Sequence, residues 1–275
     1  FEAKKVRLHM HNEYANQKDA IKHSHPKNCK QVVVGKRQGL KRLLKNRLHQ
    51  SHLILASPSI YNDDQVKIWI SELLSPAQPY PPPTLYVADD PTIVRVRGFR
   101  RTSENRVFIY ATLRLTEESK LKPPILVLSD VQNSCNLGAI ARTALNLGIT
   151  SILMTETSWG TLNDTALRTS TYALLECSLA VTKDLVKSVK SLRNRGIHTY
   201  CGENASAGAV RPVESAKDGN WALVVGSEMA GVPKDVMDCV DSLVTIPQAG
   251  GDSFGVAHAS VICLYELSRR SRTCT

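Results

Sequence analysis

No apolar run in the chain approaches the roughly 20 residues that a membrane-spanning helix needs, so an integral membrane protein is not expected. No CxxC pair occurs either. The seven cysteines, Cys29, Cys135, Cys177, Cys201, Cys239, Cys263 and Cys274, stand singly, and their number is odd. That argues against a disulfide framework and against a structural zinc site. A reducing intracellular compartment fits, either the cytoplasm or an organelle such as a mitochondrion or plastid. The start at Phe1 rather than Met leaves a removed leader and a trimmed terminus equally open. Neither GxGxxG nor GxxxxGK(S/T) is present, which excludes the usual dinucleotide-dependent dehydrogenases and P-loop NTPases. What is present suits a globular protein. With 275 residues, 42% hydrophobic and 22% charged, the chain has enough apolar material for a sizeable core and length for one large domain or two ordinary ones.

Acidic residues are scarce at one end only. Lys and Arg total 35 against 25 Asp and Glu, a net of +10. The first fifty residues hold 13 Lys and Arg against Glu2, Glu13 and Asp19, so the whole excess lies there and the rest is neutral. Such polarity points to an anionic partner, most often nucleic acid; a solvated tail is the plain alternative.

Residues 1–30 read as a basic N-terminal extension. It includes His23 and His25, which have no further His or Cys at zinc-ligand spacing and therefore read as a surface loop, with no metal expected. Residues 31–115 form a small unit. Val32–Val34, Leu53–Ala56, Leu85–Val87 and Arg106–Leu113 are expected strands. Lys36–Asn46 is an expected basic helix with Leu40, Leu43 and Leu44 on one face, opposite Lys41, Arg42, Lys45 and Arg47. Asp63–Leu74 is amphipathic, with Val66, Trp69, Ile70, Leu73 and Leu74 at helical spacing. The five prolines of Pro76–Pro83 exclude regular structure. Arg95, Arg97, Arg100 and Arg101 flank Phe99, a pattern suited to phosphate contact with base stacking, or equally to a charged edge strand. Thr116–Pro124 reads as a linker. Beyond it short apolar strands alternate with helices: strands at Ile125–Leu128, Ser151–Met154, His198–Cys201, Ala222–Val225 and Leu243–Ile246, and helices at Gly138–Leu147, Leu162–Leu174, Asp184–Arg195 and Ser253–Ser268. That alternation predicts an α/β unit with a parallel sheet covered on both faces, whose ligands bind at the carboxyl ends of the strands.

Three segments that follow strands carry polar groups and small residues. After Ile125–Leu128 comes a loop in which Asn136 is the expected helix N-cap, Gly138 permits close backbone approach, and Arg142 follows a turn and a half on. After Ala222–Val225 come Gly226, Glu228 and Gly231, with Pro233 opening a helix. After Leu243–Ile246 comes a glycine-rich loop ending in Ser253, the expected N-cap of the last helix.

Together these segments resemble the SpoU (TrmH) branch of the SPOUT RNA methyltransferases, over about residues 123–270. Asn136 through Ala144 match the pattern N-x-G-A-I-x-R-(T/S)-A. Gly226, Glu228 and Gly231 match G-x-E-x-x-G. Ile246, Pro247, Ser253, Val256, Leu264, Tyr265 and Glu266 match the third pattern, with Gly255 where the family usually has Asn. The resemblance implies a parallel α/β sheet, residues 123–275, whose C-terminal part is threaded into a trefoil knot. It implies S-adenosylmethionine held near Gly202, Gly226, Ile246, Gln248 and Phe254. It implies Arg142 at the ribose 2′-hydroxyl, with Asn136, Glu228 and Ser253 ordering the site. A homodimer with the final helix in its interface is implied, acting on ribosomal or transfer RNA, with residues 31–115 as the substrate domain. Chemically, a ribose hydroxyl is a poor nucleophile and needs proximity and a charge favouring the developing alkoxide; Arg142 is too basic to serve as a base and would act electrostatically. The alternative is a catalytically inactive RNA-binding or ribosome-assembly factor on the same fold, to which Gly255 points.

Overall fold

The computed structural model describes residues 4–5, 29–46, 49–77, 80–89, 93, 107–203, 211–212, 216, 218–250 and 254–269. Most of the basic extension, together with Arg47, Arg95, Arg97, Arg100, Arg101 and Ser253, therefore lies outside the described residues. The chain divides into two units, Phe1–Arg114 and Leu115–Thr275.

The first unit runs β1 (Lys4–Lys5), β2 (Cys29–Gly35), α1 (Lys36–Lys45), β3 (Gln50–Ala56), α2 (Pro58–Tyr61), α3 (Asp64–Leu74), β4 (Thr84–Val87) and β5 (Val107–Arg114). Its five strands form one sheet in the order β1-β4-β3-β5-β2. The β1–β4 and β4–β3 pairs are parallel, and β5 runs antiparallel to both β3 and β2. The Asp63 carboxylate accepts from the Val66 N–H at 3.0 Å and so starts α3, whose Val66, Ile70, Leu73 and Leu74 are buried. Leu40 and Leu43 of α1 are buried, and α1 packs on α3, β2 and β5.

The second unit begins with the segment expected to be a linker, and that segment is built into the unit. Thr116 N–H donates to Leu179 O at 2.8 Å, Ser188 Oγ donates to Glu118 at 2.8 Å, and Leu121 is fully buried. There follow β6 (Ile125–Leu128), α4 (Ser134–Asn146), β7 (Ser151–Thr155), α5 (Glu156–Thr161), α6 (Asp164–Thr169), β8 (Ser178–Thr182), α7 (Leu185–Asn194), β9 (His198–Gly202), β10 (Arg211–Pro212), β11 (Trp221–Val225), α8 (Lys234–Met237), β12 (Ser242–Thr245) and α9 (Val256–Ser268). The seven strands are in the order β10-β12-β9-β11-β6-β7-β8, and every pairing is parallel. All residues of β6 and β11 are buried, as expected of central strands covered on both faces. One core layer joins Ile125, Val127, Leu153, Ala222 and Val224 of the sheet to Leu185, Val189 and Leu192 of α7 and Val236 of α8.

Local chemistry explains where the structure departs from expectation. Leu162–Leu174 was expected as one helix. The Asn163 side chain instead caps α6, accepting from Thr165 and Ala166 N–H groups at 2.9 and 3.2 Å, and positive φ at Thr171 and Tyr172 ends it. Strand β8 was missed because Ser178 and Thr182 dilute its short apolar run. Gly148 and Gly196 end α4 and α7 as expected, with φ of 79° and 75°.

Gly138 does permit a close approach, though of a helix rather than a ligand. A Cβ there would stand 2.5 Å from Ala166 O and 2.8 Å from Thr169 Cβ, so α4 and α6 touch backbone to backbone. Gly138→Ala is expected to lower stability by about 1–3 kcal/mol through overpacking, despite the better helix propensity of Ala. Urea unfolding measures it; an unchanged midpoint would mean that this contact opens freely.

Candidate functional site

The carboxyl ends of β6, β9, β11 and β12 lie along one edge of the sheet because all four strands run the same way. Their starts are fixed too. Asp241, just before β12, accepts from the Thr199 N–H at 2.9 Å, from the Thr199 hydroxyl at 2.8 Å and from Arg193 Nε at 2.7 Å. Burial alone would raise the Asp241 pKa; these bonds and the Arg193 charge outweigh it and hold it low, so the clamp between β9 and β12 is ionic at neutral pH.

The loop after β6 turns through Asp130, a non-glycine residue with φ of 54°. Thr155 and Ser158 fix that turn. Asp130 N–H donates to Thr155 Oγ1 at 3.0 Å, Thr155 Oγ1 donates to the Asp130 carboxylate at 2.8 Å, and Val131 N–H donates to Ser158 Oγ at 2.8 Å. The helix cap is Asn133, not Asn136. Asn133 Oδ1 accepts from the Cys135 and Asn136 N–H groups at 2.8 and 3.2 Å. Asn136 sits within the first turn of α4, and its side-chain amide is thereby left for another purpose: Nδ2 donates to Glu228 Oε1 in the loop after β11.

That second loop is tight. Ser227 and Gly231 exchange backbone hydrogen bonds at 3.2 and 3.1 Å, Ala230 N–H donates to Ser227 Oγ at 3.1 Å, and Gly231 adopts φ of 64°. Gly226 lies beneath this turn. A Cβ at 226 would stand 2.1 Å from Gly231 C and 2.4 Å from Val232 N. The turn itself occupies the space that a side chain at 226 would take, so Gly226 is a glycine for the loop's sake, and substitution there perturbs the loop before it perturbs any ligand.

The third loop leads into α9, whose N-cap is Gly255, without a side-chain cap. The expected start of that helix at Ser253 is thus moved to Val256. Among the described residues a Cβ at Gly255 would meet only His258 Nδ1, at 3.7 Å, an ordinary contact that does not demand glycine.

The second and third loops, with the end of β9 and the start of α9, enclose a cavity of about 220 Å³. Gly202, Gly226, Ile246, Gln248 and Phe254 all line it, as does Glu228. So does Glu203, which sequence reasoning missed because a lone acidic residue after a strand carries no distinguishing pattern. The walls combine apolar Val225, Ile246, Phe254 and Val256 with backbone and two carboxylates. Arg142 is not on the wall. It is exposed, and its six-residue offset from Asn136 sets it about 9 Å along α4 and a third of a turn away.

In the first unit, Lys41 and Lys45 are exposed one turn apart on α1, in line with Arg37, which pairs with Asp63 at 2.7 Å. Arg42 departs from the expected open basic face: it is half-buried, and its Nε lies in the interior. Among the described residues no group of three or more His, Cys, Asp or Glu could hold a metal, and no helix is long and apolar enough to cross a membrane.

Two thiols lie under the cavity. Burial raises Cys201 and Cys263 to about 12, with Glu203 adding to the effect on Cys201. A raised thiol pKa keeps the neutral form, so at pH 8 only about one in ten thousand is thiolate. Iodoacetamide at pH 8 should therefore modify exposed Cys135 well before Cys201 and Cys263, which should react only on unfolding. Peptide mapping that finds either of them among the first sites would contradict this burial.

Comparison with known proteins places the chain. Residues 123–265, just over half of it and inclusive of all three loops, match the SpoU rRNA Methylase family. The 23S rRNA (guanosine-2'-O-)-methyltransferase RlmB of Xylella fastidiosa is 31% identical over 173 residues, covering 58% of this chain and 68% of that protein. RlmB of Xanthomonas axonopodis pv. citri is 28% identical over 171 residues, with the same coverage. An rRNA methyltransferase structure from Sinorhizobium meliloti matches with a TM-score of 0.77 at 19% identity, over 99% of this chain and 100% of that one. The AviRb structure from Streptomyces viridochromogenes with AdoMet matches at 0.70 and 17%, over 88% and 90%. At such identities the structural likeness is one of fold, whereas the match over 123–265 is one of sequence, and by it the chain belongs to the SpoU rRNA Methylase family.

Proposed function

We propose that this chain is an S-adenosylmethionine-dependent RNA 2′-O-ribose methyltransferase acting on ribosomal or transfer RNA. The observation that carries the reading is the Asn136–Glu228 hydrogen bond, which joins the first and second loops at the rim of a cavity lined by Gly202, Gly226, Ile246, Gln248 and Phe254. The donor set fits the cofactor: apolar walls suit an adenine, exposed backbone suits its edge, and two carboxylates suit a ligand with hydroxyl and ammonium donors. Two solved structures of this fold, from Sinorhizobium meliloti and Streptomyces viridochromogenes, hold AdoMet.

When bound, the cofactor supplies an electrophilic methyl group. The chain supplies the rest. Gly202, Ile246 and Phe254 confine the cofactor; Glu228, anchored by Asn136, orders the side of the cavity towards α4, and Ser253 shares the task of ordering the site. Arg142 acts on the RNA, favouring the developing alkoxide by its fixed charge.

The reading includes the rest of the family architecture. Residues 123–275 are the methyltransferase domain, and their C-terminal part is threaded as a trefoil knot; the strand order β12-β9-β11, followed by an α9 that packs back on α4, β9 and β11, supports this. The protein works as a homodimer through α9, a helix whose Val261, Ile262 and Tyr265 leave apolar surface accessible. Residues 31–115 form the substrate domain, with Lys41, Arg42, Lys45, Arg47, Arg95, Arg97, Arg100 and Arg101 meeting RNA and residues 1–30 adding charge. The six described cysteines are all free, in keeping with a reducing compartment.

Arg142→Ala is expected to abolish methyl transfer from labelled S-adenosylmethionine to RNA while leaving cofactor affinity within about threefold of wild type, since Arg142 lies off the cavity wall. Retention of most activity would remove Arg142 from the mechanism. Absence of transfer by the wild type, with RNA binding intact, would favour the inactive RNA-binding factor.

Replacing Lys41 and Lys45 with Gln is expected to weaken binding to unrelated RNAs alike and to flatten the salt dependence by roughly 1.4–1.8, two phosphate contacts' worth. Both side chains are exposed, so the fold should be unaffected, whereas half-buried Arg42 is best left in place. Filter binding across a salt series checks this; an unchanged slope would exclude α1 from the RNA contact.

A further inference from the structure

Glu203 is the cavity residue with the least obvious purpose. It follows β9 directly, and its N–H donates to Val244 O at 2.9 Å, which extends the β9–β12 pairing by one bond and fixes the backbone. Its carboxylate lies beside Gly231: a Cβ on Gly231 would be 3.2 Å from Oε2. Strand β9 lies between β11 and β12, so Glu203 stands at the middle of the floor next to Gly202, with Gly226 on one side and Ile246 on the other. The cavity's other carboxylate, Glu228, holds the Asn136 amide towards β6. The two acids leave different strands: Glu228 is tied to the Asn136 amide, and Glu203 stands beside Gly202 and Ile246, which confine the cofactor in the reading above.

The role of that carboxylate follows from what each group of the cofactor requires, and it rests on the cofactor reading just given. The sulfonium loses its charge as the methyl leaves. A carboxylate against it would stabilise the starting state more than the transition state and slow the reaction. The ribose diol does not change during transfer, and its two O–H donors match the two acceptor oxygens of one carboxylate. An acidic side chain just past the end of a strand binds ribose in this way in other open α/β sheets. We propose that the Glu203 carboxylate accepts hydrogen bonds from both ribose hydroxyls of the cofactor and makes the site selective for a ribonucleoside over its deoxy forms.

Calorimetry with the full chain tests this using S-adenosylmethionine, S-adenosylhomocysteine and the 2′,3′-dideoxy form of S-adenosylhomocysteine. The wild type should bind the dideoxy compound at least about a hundredfold more weakly than S-adenosylhomocysteine, since two hydrogen bonds to a charged group are lost at roughly tenfold or more each. Glu203→Gln keeps the shape and removes the charge and one acceptor. It should weaken S-adenosylmethionine and S-adenosylhomocysteine by similar factors and bind the dideoxy compound nearly as the wild type does. Three results would overturn the proposal: equal wild-type affinity for the diol and dideoxy compounds, undiminished selectivity in Glu203→Gln, or a loss confined to S-adenosylmethionine, which would assign Glu203 to the sulfonium. The first needs no variant and holds even if Glu203→Gln fails to fold. A folded wild type that binds none of the three would overturn the cofactor reading as well, a result distinct from binding without selectivity.

Discussion

The pairing of β6 with β11 is the constraint on which the site depends. Ile125 to Leu128 lie in parallel register with Ala222 to Val225, all eight residues buried, and Ser129 N–H extends the ladder to Val225 O at 2.9 Å. Nearly a hundred residues of chain separate these strands, yet their loops emerge side by side. Beyond β6 the chain continues through β7 and β8 in one direction; β11 and β9 lie in the other. This is where strand order reverses, and it is where an open parallel sheet leaves room at its carboxyl edge. Asn136 and Glu228 meet across that gap.

The gap stays narrow because the loops beside it are held by backbone and small side chains. Gly231 occupies the place of a Gly226 side chain, Gly138 brings α4 against α6, and Thr155 and Ser158 fix the turn at Asp130. These contacts set the direction of α4 and the height of the second loop, and so the distance between Asn136 and Glu228. Each of them is a contact within the protein. Gly138 and Gly226 are therefore required by the fold first, and the cavity is what remains between loops that already touch.

Much of this was legible in the sequence, and the missing parts share a cause. Buried strands such as Ile125–Leu128 and helix stops such as Gly148 and Gly196 are local signals, and they emerged with little error. The five cavity positions were legible only because whole motifs, rather than single residues, could be matched. What failed depended on contacts distant in sequence. Asn136 and Asn133 are both good caps in isolation, and the partner on the β11 loop is what distinguishes them. Gly138 and Gly226 are equally permissive as letters, and only the structure says which backbone approaches each. Arg42 looks like Lys41 in a basic helix until its own turn is seen packing inward. Glu203 has no motif, and its position depends on three strands at once.

The distribution of charge follows the same division. The net +10 lies before residue 51, whereas the rest of the chain is neutral and the cavity carries two carboxylates. A cationic pocket would attract RNA phosphate into the place of a cofactor whose reacting sulfonium is itself positive. An acidic one repels phosphate at short range and, in the proposed reading, leaves attraction to the exposed lysines of α1 and to exposed Arg142 outside the wall. On the function proposed above, nucleic acid is drawn to the protein by one set of residues and kept out of the cavity by another. Only a neutral hydroxyl, presented from outside, meets the site without a charge to desolvate, and that is the part of RNA on which a ribose methylation acts.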